Sequence, residues 1–455
     1  MFLCAGVVVL AGSGTWWYTH RARTGSPTPG DAFTIYLLGS STAYGFPYDS
    51  RIDLGKLVFP LLGGSIQGRP IAVVNLALPG RTAREILGDA RDLLDRAPMP
   101  DRSLVFVYPG NNEFARLDRR PDLGWHERTL FDSPVVSEEE RATIEAGYGP
   151  ALSETFRTLQ EAGLAVVAST IVVNLKDWDP NRSILGDRAH EASVRSHLAT
   201  GQQTLDAGDP AAALAHFKAI LSVEPYFALA SKRAGDCCRA LGRLAEARQY
   251  FRNAIDDDGY PLRDTSGLDA MLRRACAERR VPLLDAAAVL NAASPDSILG
   301  FELLWDNCHP TFAGYAHIAR ALATIIGSRY GAAPDMLPDS TLRRAVGLDA
   351  DLEQAALHRE GQYCYTAATF TFDPRPKLAR ARHYLERADA MGPDANVVCS
   401  LAVLAGLEGH LDPSLAQWRR AMQLDPEVTR ERMKNRYAAQ IMHNLGVKDL
   451  ARAIE

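Results

Sequence analysis

Two short segments of the 455-residue chain carry the residue types of a nucleophilic catalytic site. The segment YLLGSSTAYG, residues 36–45, places Ser40 and Ser41 in a glycine-flanked turn directly after an apolar run. A serine hydroxyl is a weak nucleophile unless a histidine removes its proton and a carboxylate orients that histidine. The segment WDNCHPTFAGY contains both partners, because Asp306 and His309 lie three residues apart. In a loop, that spacing lets the carboxylate reach the imidazole Nδ1–H and leaves Nε2 free to act as a base.

Two further segments supply candidate donors for an oxyanion. Backbone and amide N–H groups aimed at a developing oxyanion lower the barrier of acyl transfer. Gly80, in VVNLALPG, lies in a turn where its N–H can approach a substrate, and Asn112, in VYPGNNEF, offers a side-chain amide. Each motif alone also fits a plain turn, and the D-x-x-H-P motif alone fits a surface loop with a capping aspartate. The four segments together therefore predict acyl-transfer chemistry.

The apolar runs predict how these four segments meet. Short, nearly continuous apolar runs are typical of buried parallel strands, and the stretches Ala83–Leu94 and Ser153–Ala162 between them predict helices. Five such strands joined by helical crossovers indicate an α/β fold with an open, doubly wound sheet, which binds ligands at the carboxyl ends of its strands. All four segments follow strand ends, so we expect them at one edge of the sheet. The predicted strands are Phe33–Leu38, Ile71–Leu76, Leu104–Tyr108, Leu164–Val173 and Val281–Leu284.

The four segments resemble the sequence blocks of the SGNH, or GDSL-type, hydrolases. The resemblance covers Thr34 to about Gly327 with a helical insert excluded, and it implies a flavodoxin-like, doubly wound, parallel five-stranded sheet. It implies Ser41 as the nucleophile, because Ser41 falls on the serine of the G-x-S-x motif and Ser40 on the preceding aspartate. No cofactor is implied. The residues that the resemblance assigns are Ser41, Asp306 and His309 for catalysis, and the Ser41 backbone, Gly80 and Asn112 for the oxyanion hole.

The sequence departs from the family pattern at two positions. The segment GSST lacks the aspartate of GDSL, which leaves open how the serine is held, and Ser40 is interpreted as a turn residue. Glu113 stands where an aspartate often follows the asparagine. Residues 116–134 are a candidate lid, with plain surface decoration as the alternative. The candidate substrate-pocket residues are Glu113, Asn174 and Trp178.

Other site chemistries do not fit the spacing. His190 and His197, in HEASVRSH, lie seven residues apart and not four as in a zinc-binding H-E-x-x-H helix, so we interpret this segment as a solvated helix. The serine turn contains no G-K-[ST] phosphate-binding motif, and Ala43 stands where a G-x-S-x-G elbow has its last glycine. The seven cysteines are scattered without a C-x-x-C pair. The sequence therefore predicts no metal and no cofactor.

A helical repeat interrupts the α/β pattern between the fourth and fifth predicted strands. Gly201 and Phe217 recur 34 residues later as Gly235 and Phe251, which is the period of the tetratricopeptide repeat (TPR). We interpret the insert as two helical hairpins that bind a protein partner. A weaker pair of TPR-like hairpins follows the α/β unit, with ordinary amphipathic helices as the alternative. Its residues are Ala381, Ala388, Pro393, Trp418, Ala421 and Pro426.

The first 18 residues carry no charged side chain and end in an aromatic cluster before HRAR. Their length and aromatic end predict a single-pass N-terminal membrane anchor, with a buried or cleaved segment as the alternative. Arg21 and Arg23 favour a cytoplasmic body, whereas a start codon placed too far downstream would reverse that orientation. We expect the catalytic domain on the extracytoplasmic side and leave the orientation open. The net charge of −5 gives no reason to expect nucleic acid as a partner.

Together these patterns predict a function and a domain organisation. We expect a membrane-tethered serine hydrolase that cleaves carboxylic esters of a small molecule or a glycan. The alternatives are an O-acyltransferase that acts on envelope glycans with the same residues, and a catalytically inactive TPR scaffold. The predicted segments are an anchor over 1–20, a linker over 21–32, the hydrolase domain over 33–190 and 261–333, inserted TPR repeats over 191–260 and C-terminal TPR-like repeats over 340–455.

Overall fold

The structure is a computed structural model that describes most of the chain. The predicted anchor over 1–20, residues 21–30 of the linker and the candidate lid over 116–134 lie outside the described residues. None of the helices in the described part has both the length and the apolar character needed to cross a bilayer. The anchor and the side of the membrane therefore stay predictions. The described residues are 31–115, 135–371, 373–434, 437, 441, 442, 445–447, 450 and 452.

A six-stranded sheet forms the centre of the α/β body. Its strands are β1 (Phe33–Gly39), β2 (Ser65–Ile66), β3 (Arg69–Asn75), β4 (Ser103–Tyr108), β5 (Ala165–Ser169) and β6 (Leu283–Leu284). They lie in the order β2-β3-β1-β4-β5-β6, and all neighbouring pairs are parallel except β2 and β3. Every residue of β1 and β4 is buried, as expected for central strands that are covered on both faces.

The sheet has six strands where the sequence analysis predicts five. Each predicted strand has a counterpart, and the additional strand β2 pairs antiparallel with β3 at one edge. Gln67 and Gly68, which join the two strands, have φ angles of 52° and 75°. A type I′ hairpin turn needs positive φ at both central residues, so the local sequence suits a tight hairpin. A strand of two residues is too short to show any periodicity, which is why the apolar runs do not predict it.

The described residues also form seventeen α-helices, and two groups of these helices pack around the sheet. The helices are α1 (Ser41–Tyr44), α2 (Leu54–Leu61), α3 (Ala83–Leu94), α4 (Glu138–Glu161), α5 (Glu191–Asp206), α6 (Pro210–Val223), α7 (Ala228–Ala240), α8 (Leu244–Asp256), α9 (Ser266–Arg279), α10 (Ala286–Ala293), α11 (Phe312–Tyr330), α12 (Asp339–Ala345), α13 (Ala350–Ala368), α14 (Arg375–Met391), α15 (Ala395–Leu407), α16 (Leu411–Leu424) and α17 (Pro426–Met433). Helices α3, α4 and α9 form one group, and α2, α10 and α11 form the other. Helix α4 is longer than predicted, because Ser137 and Glu140 start it early with a capping box.

Helices α5 to α8 form two hairpins within the predicted insert. A Cβ atom on Gly201 of α5 would lie 2.9 Å from the ring of Phe217 on α6. Gly235 of α7 and Phe251 of α8 repeat this contact, with a distance of 2.6 Å. The 34-residue period therefore reflects a close approach of two helices that has no room for a larger side chain.

Helices α13 to α17 form the C-terminal helical unit. Helix α13 packs against α14, and α15 packs against α16. Four of the six recurring residues of the predicted C-terminal repeats are buried, namely Ala381 and Ala388 on α14 and Trp418 and Ala421 on α16, whereas Pro393 and Pro426 are exposed. The helices thus occur where the weaker repeat pattern predicts them, while the boundaries between domains stay predictions.

Candidate active site

Ser41 lies at the carboxyl end of the central strand β1. Gly39 ends that strand with a φ of 153°, and a Cβ atom there would lie 2.0 Å from the carbonyl oxygen of Tyr108 on β4. Only glycine allows the two strand ends to come this close. The chain then turns, and Ser41 is the partly exposed first residue of the short helix α1. Residues 40–49 are called the serine loop below.

His309 and Asp306 lie far from Ser41 in the sequence but beside it in the structure. The Nε2 atom of His309 lies 2.8 Å from the Oγ atom of Ser41, and its Nδ1 atom lies 2.6 Å from Oδ2 of Asp306. Because an ionised carboxylate only accepts hydrogen bonds, Nδ1 carries the imidazole proton and Nε2 accepts from the serine hydroxyl. The structure therefore brings these three predicted site residues into one hydrogen-bonded line. Residues 305–309 are called the histidine loop below.

The Asp306 carboxylate also shapes the histidine loop. Its Oδ1 atom accepts the backbone N–H groups of Cys308 and His309, both at 2.8 Å. Asp306 is fully buried and His309 is 5% exposed, so little water competes for these bonds. A buried carboxylate that accepts three N–H groups is held in one orientation, and it holds the imidazole in turn.

Gly80 and Asn112 approach the serine loop from the next two strand ends. The backbone N–H of Leu78 donates to the carbonyl oxygen of Gly39 at 3.2 Å, and Gly80 follows with a φ of 85°. The Asn112 amide donates to Ser40 Oγ and, at 3.2 Å, to the carbonyl oxygen of Arg81. Both amide hydrogens of Asn112 thus meet protein oxygens. The amide can donate to a substrate oxygen only when one of these bonds gives way, and the bond to Arg81 is the longer.

Ser40 is more than the turn residue that the sequence analysis predicts. Its side chain is fully buried and accepts the hydrogen bond from Asn112. A Cβ atom on Gly110 would lie 2.3 Å from the Cβ of Ser40 and 2.6 Å from Nδ2 of Asn112, so Gly110 leaves room for this contact. Ser40 therefore positions the Asn112 amide.

Glu113 joins the Asn112 segment to helix α3. Its Oε1 atom accepts the backbone N–H of Ala83, the first residue of that helix, at 2.7 Å. A carboxylate is favoured at this end of a helix because the N–H groups there have no partner within the helix. The sequence predicts Glu113 in the substrate pocket, and in the structure it links the segments that carry Asn112 and Gly80. Burial raises the pKa of Glu113 to about 7.

This pKa predicts how stability depends on pH. The folded protein binds the Glu113 proton more tightly than the unfolded chain, whose pKa is near 4.5. Glu113 therefore contributes most to stability below pH 4.5. This contribution is lost as the pH rises through its folded-state pKa of about 7, which lowers the free energy of unfolding by an amount on the order of 3 kcal/mol. Glu113→Gln keeps an oxygen for the Ala83 N–H but cannot ionise. Urea unfolding should show the variant gaining stability over the wild type between about pH 5 and pH 8.

An exposed substitution provides the control for this experiment. Asp101 is exposed, so Asp101→Asn should leave the difference in unfolding free energy from the wild type small across the same pH range. If the unfolding free energies of the wild type and of Glu113→Gln change in parallel with pH, the assignment of the raised pKa to Glu113 is contradicted.

Asn174 and Trp178, which the sequence predicts in the substrate pocket, are buried in the structure. Asn174 is fully buried, and its amide donates to the carbonyl oxygen of Asp306 at 2.9 Å. Its backbone N–H donates to the carbonyl oxygen of Asn307 at 2.8 Å. Trp178 is 3% exposed and packs against the ring of Tyr363. Both residues follow the end of a strand as predicted, and Asn174 supports the histidine loop while Trp178 packs against helix α13.

The insert holds the segment that follows Asn174. The guanidinium of Arg233, on α7, makes two hydrogen bonds of 2.7 and 2.8 Å to the Asp179 carboxylate. Burial acts to raise the pKa of Asp179, but Arg233 and Lys232 outweigh it and hold that pKa below its usual range. The Glu224 carboxylate accepts the backbone N–H of residue 186 at 2.7 Å. The insert therefore contacts the same segment that supports the histidine loop.

Two aromatic rings flank His309, and the sequence analysis identifies neither of them. The ring centroid of Phe46 lies 4.5 Å from that of His309, and the centroid of Tyr363 lies 5.6 Å away in an edge-to-face arrangement. Tyr363 belongs to helix α13 of the C-terminal unit. No local motif marks these rings, because their contact with His309 depends on how distant parts of the chain pack.

One group among the described residues has the composition of a metal site. Ligand atoms of Asp306, Cys308 and His309 lie within 4.8 Å of one another. However, the two ring nitrogens of His309 already face Asp306 and Ser41. Burial raises the pKa of Cys308 well above its usual value, so its thiol keeps its proton and is a poor metal ligand. Asp306 and His309 therefore fit the hydrogen-bonded line with Ser41 better than a metal centre.

Comparison with known proteins gives one family match and a set of solved structures. The tetratricopeptide repeat family matches residues 204–259, within the predicted insert. No curated protein matches the chain.

The structural neighbours include GDSL-type hydrolases and esterases, the class that the sequence resembles. One is a member of the lipolytic protein G-D-S-L family from Veillonella parvula, with 12% identity and a TM-score of 0.32 over 66% of this chain and 100% of that chain. A lipase/acylhydrolase from Enterococcus faecalis has 15% identity and a TM-score of 0.32 over 67% and 98%. A catalytic mutant of an acetylxylan esterase from Geobacillus stearothermophilus has 14% identity and a TM-score of 0.34 over 66% and 97%. Such low values carry no argument about chemistry, which rests on the geometry of the site.

Proposed function

We propose that this protein is a serine hydrolase that cleaves carboxylic esters. The observation that carries the proposal is the line of hydrogen bonds from Ser41 through His309 to Asp306, with distances of 2.8 and 2.6 Å. Such a line makes a serine hydroxyl nucleophilic, because the imidazole takes the proton as the new bond forms and the carboxylate stabilises the resulting imidazolium.

In the proposed reaction, Ser41 Oγ attacks the acyl carbon and its proton moves to Nε2 of His309. The carbonyl oxygen becomes an oxyanion, and the bond to the alcohol breaks as Nε2 returns the proton to the leaving oxygen. A water molecule then attacks the acyl-serine, again giving its proton to Nε2, and the carboxylic acid leaves as the Ser41 hydroxyl is restored. No metal or cofactor takes part in these steps.

The proposed oxyanion donors are the backbone N–H groups of Ser41 and Gly80 and the amide of Asn112. This assignment is supported by the hydrogen bonds that join the serine loop, the Gly80 turn and the Asn112 segment at one edge of the sheet. The two backbone N–H groups are held by the main chain before the reaction and need no reorganisation when charge develops, whereas the Asn112 amide must first release its bond to Arg81. The bond from Asn112 to Ser40 keeps the amide at this edge.

The proposal includes the organisation of the chain. The hydrolase domain comprises 33–190 and 261–333, the inserted TPR repeats 191–260 and the C-terminal repeats 340–455. The tetratricopeptide repeat suggests a role in protein interaction. We further propose that residues 1–20 anchor the protein in a membrane with the catalytic domain on the extracytoplasmic side, which carbonate extraction and protease protection of membrane vesicles would test.

Turnover of p-nitrophenyl acetate by the full chain, with and without a sugar acceptor, tests the proposed reaction. We expect release of p-nitrophenol and acetate without an acceptor, because water can attack the acyl-serine. Product formation that requires the acceptor and yields an acetylated sugar would instead support the O-acyltransferase. Protein that shows neither turnover nor labelling by a fluorophosphonate would support the inactive scaffold and refute the hydrolase.

A further inference from the structure

We infer that helix α13 of the C-terminal unit sets the geometry between the serine loop and the histidine loop, with Arg359 and Tyr363 as positioning residues. This inference rests on the proposed function. It assigns the C-terminal unit a part in building the active site, whereas the sequence analysis treats that unit only as appended repeats.

Arg359 holds the far end of the serine loop. Its Nη1 atom donates to the carbonyl oxygen of Pro47 at 2.8 Å, and its Nη2 atom lies 3.7 Å from the Asp49 carboxylate. Asp49 in turn accepts the hydroxyl of Tyr44 at 2.7 Å, and Tyr44 is the last residue of the helix that begins with Ser41. The side chains of Arg359 and Asp49 are 24% and 18% exposed, so this contact is better protected from water than a surface ion pair.

Tyr363 contacts the histidine loop at two points. Its hydroxyl donates to Oδ1 of Asn307 at 2.7 Å, and its ring meets the His309 ring edge-on at an interplanar angle of 88°. Asn307 is also tied to the α/β body, because its amide donates to the carbonyl oxygen of Leu262 at 2.6 Å. Tyr363 therefore restrains both the Asn307 side chain of the histidine loop and the imidazole ring itself.

One rigid helix makes both contacts. Arg359 and Tyr363 are four residues apart on α13, and side chains at this spacing lie on the same face of a helix. The two loops that they contact are far apart in the sequence, yet the hydrogen bond between Ser41 and His309 requires them to meet at 2.8 Å. A helix that contacts both loops limits how far they can separate.

A second helix of the C-terminal unit adds to this restraint. The hydroxyl of Tyr384, on α14, donates to the carbonyl oxygen of Trp305 at the start of the histidine loop. The α/β body provides its own restraint through the Tyr315 hydroxyl, which lies 3.0 and 2.9 Å from the carbonyl oxygens of Thr42 and Phe46. The C-terminal unit should therefore adjust the geometry of a site that the body already forms. Substitutions that remove its contacts should reduce the activity of the enzyme only in part.

Substitutions on α13 in the full chain test this inference. Tyr363→Leu removes both contacts with the histidine loop, and Arg359→Met removes both contacts with the serine loop while keeping most of the side-chain volume. A small displacement of reacting groups costs up to about a hundredfold in rate, so we expect kcat for p-nitrophenyl acetate to fall by about tenfold to a hundredfold. KM should change by less than about twofold, because a simple acetate ester makes few contacts that these residues could alter.

Conservative variants and a matched control separate positioning from loss of folding. Tyr363→Phe, which keeps the ring, and Arg359→Lys, which keeps the charge, should each recover part of the lost kcat. Gln354 lies on the same helix but donates to the carbonyl oxygens of Ala388 and Gly392, away from both loops. Gln354→Ala should therefore lower the melting temperature and leave kcat unchanged.

The outcomes distinguish this inference from the proposed function. Wild-type protein that neither turns over the ester nor reacts with a fluorophosphonate would refute the proposed function and the inference with it. An active wild type together with folded Tyr363→Leu and Arg359→Met variants of unchanged kcat would overturn the inference alone. Equal loss of kcat in Gln354→Ala would also overturn it, because the effect would then follow the stability of the unit and not the contacts.

Discussion

Ser41→Ala should abolish both ester turnover and labelling by a fluorophosphonate. The Oγ atom of Ser41 is the group that faces Nε2 of His309, at 2.8 Å. The substitution removes that oxygen alone and leaves a residue that helix α1 accepts, so folding should be preserved. Loss of the nucleophile in a hydrolase of this kind lowers kcat by about a millionfold. Mass spectrometry of the labelled protein and the rate of p-nitrophenol release measure the two effects.

Ser40→Ala is the matched control, because it removes the same atom from the neighbouring residue. The variant keeps the nucleophile and should still be labelled at Ser41. Its rate should fall by about tenfold, since the Asn112 amide loses the partner that holds it at the edge of the sheet. Labelling that persists in Ser41→Ala, or that disappears only in Ser40→Ala, would show that the nucleophile is misassigned.

Asp306→Asn should give the second largest loss of activity. The Asp306 carboxylate accepts two backbone N–H groups with one oxygen and the His309 Nδ1–H with the other. An asparagine that keeps the backbone contacts turns its NH2 group towards Nδ1. The imidazole then carries its proton on Nε2 and cannot accept the proton of Ser41. We expect kcat to fall by about ten-thousandfold.

The same geometry keeps the effect on folding small. In that orientation the two backbone N–H groups keep their acceptor, and only the second amide hydrogen of the buried asparagine has no partner, so the cost in unfolding free energy should be about 1 to 3 kcal/mol. Asp285→Asn is the control, because Asp285 caps α10 and binds Arg273, and neither contact involves the serine loop or the histidine loop. It should cost a similar amount of stability without lowering kcat. Activity of Asp306→Asn within about tenfold of the wild type would contradict the role of Asp306.

The sequence alone specifies the parts of this protein whose signals are local. Apolar runs predict the five parallel strands because a strand that is buried on both faces must be apolar along its whole length. The 34-residue recurrence of glycine and phenylalanine predicts the inserted hairpins because each pair marks one close helix contact. The residue types of Ser41, Asp306 and His309, with the last two three residues apart, indicate their chemistry, although helix α10 separates the histidine loop from β6.

Tertiary structure decides which way the remaining side chains face and what they contact. Asn174 and Trp178 follow a strand as predicted, but whether they line a pocket or support a loop depends on the packing of the histidine loop. The contact of Ser40 with Asn112 joins residues that follow two different strands, and that of Tyr363 with His309 joins two separate units of the chain. Such contacts leave no periodicity or motif in the sequence, because their partners are brought together only when the helices and strands pack.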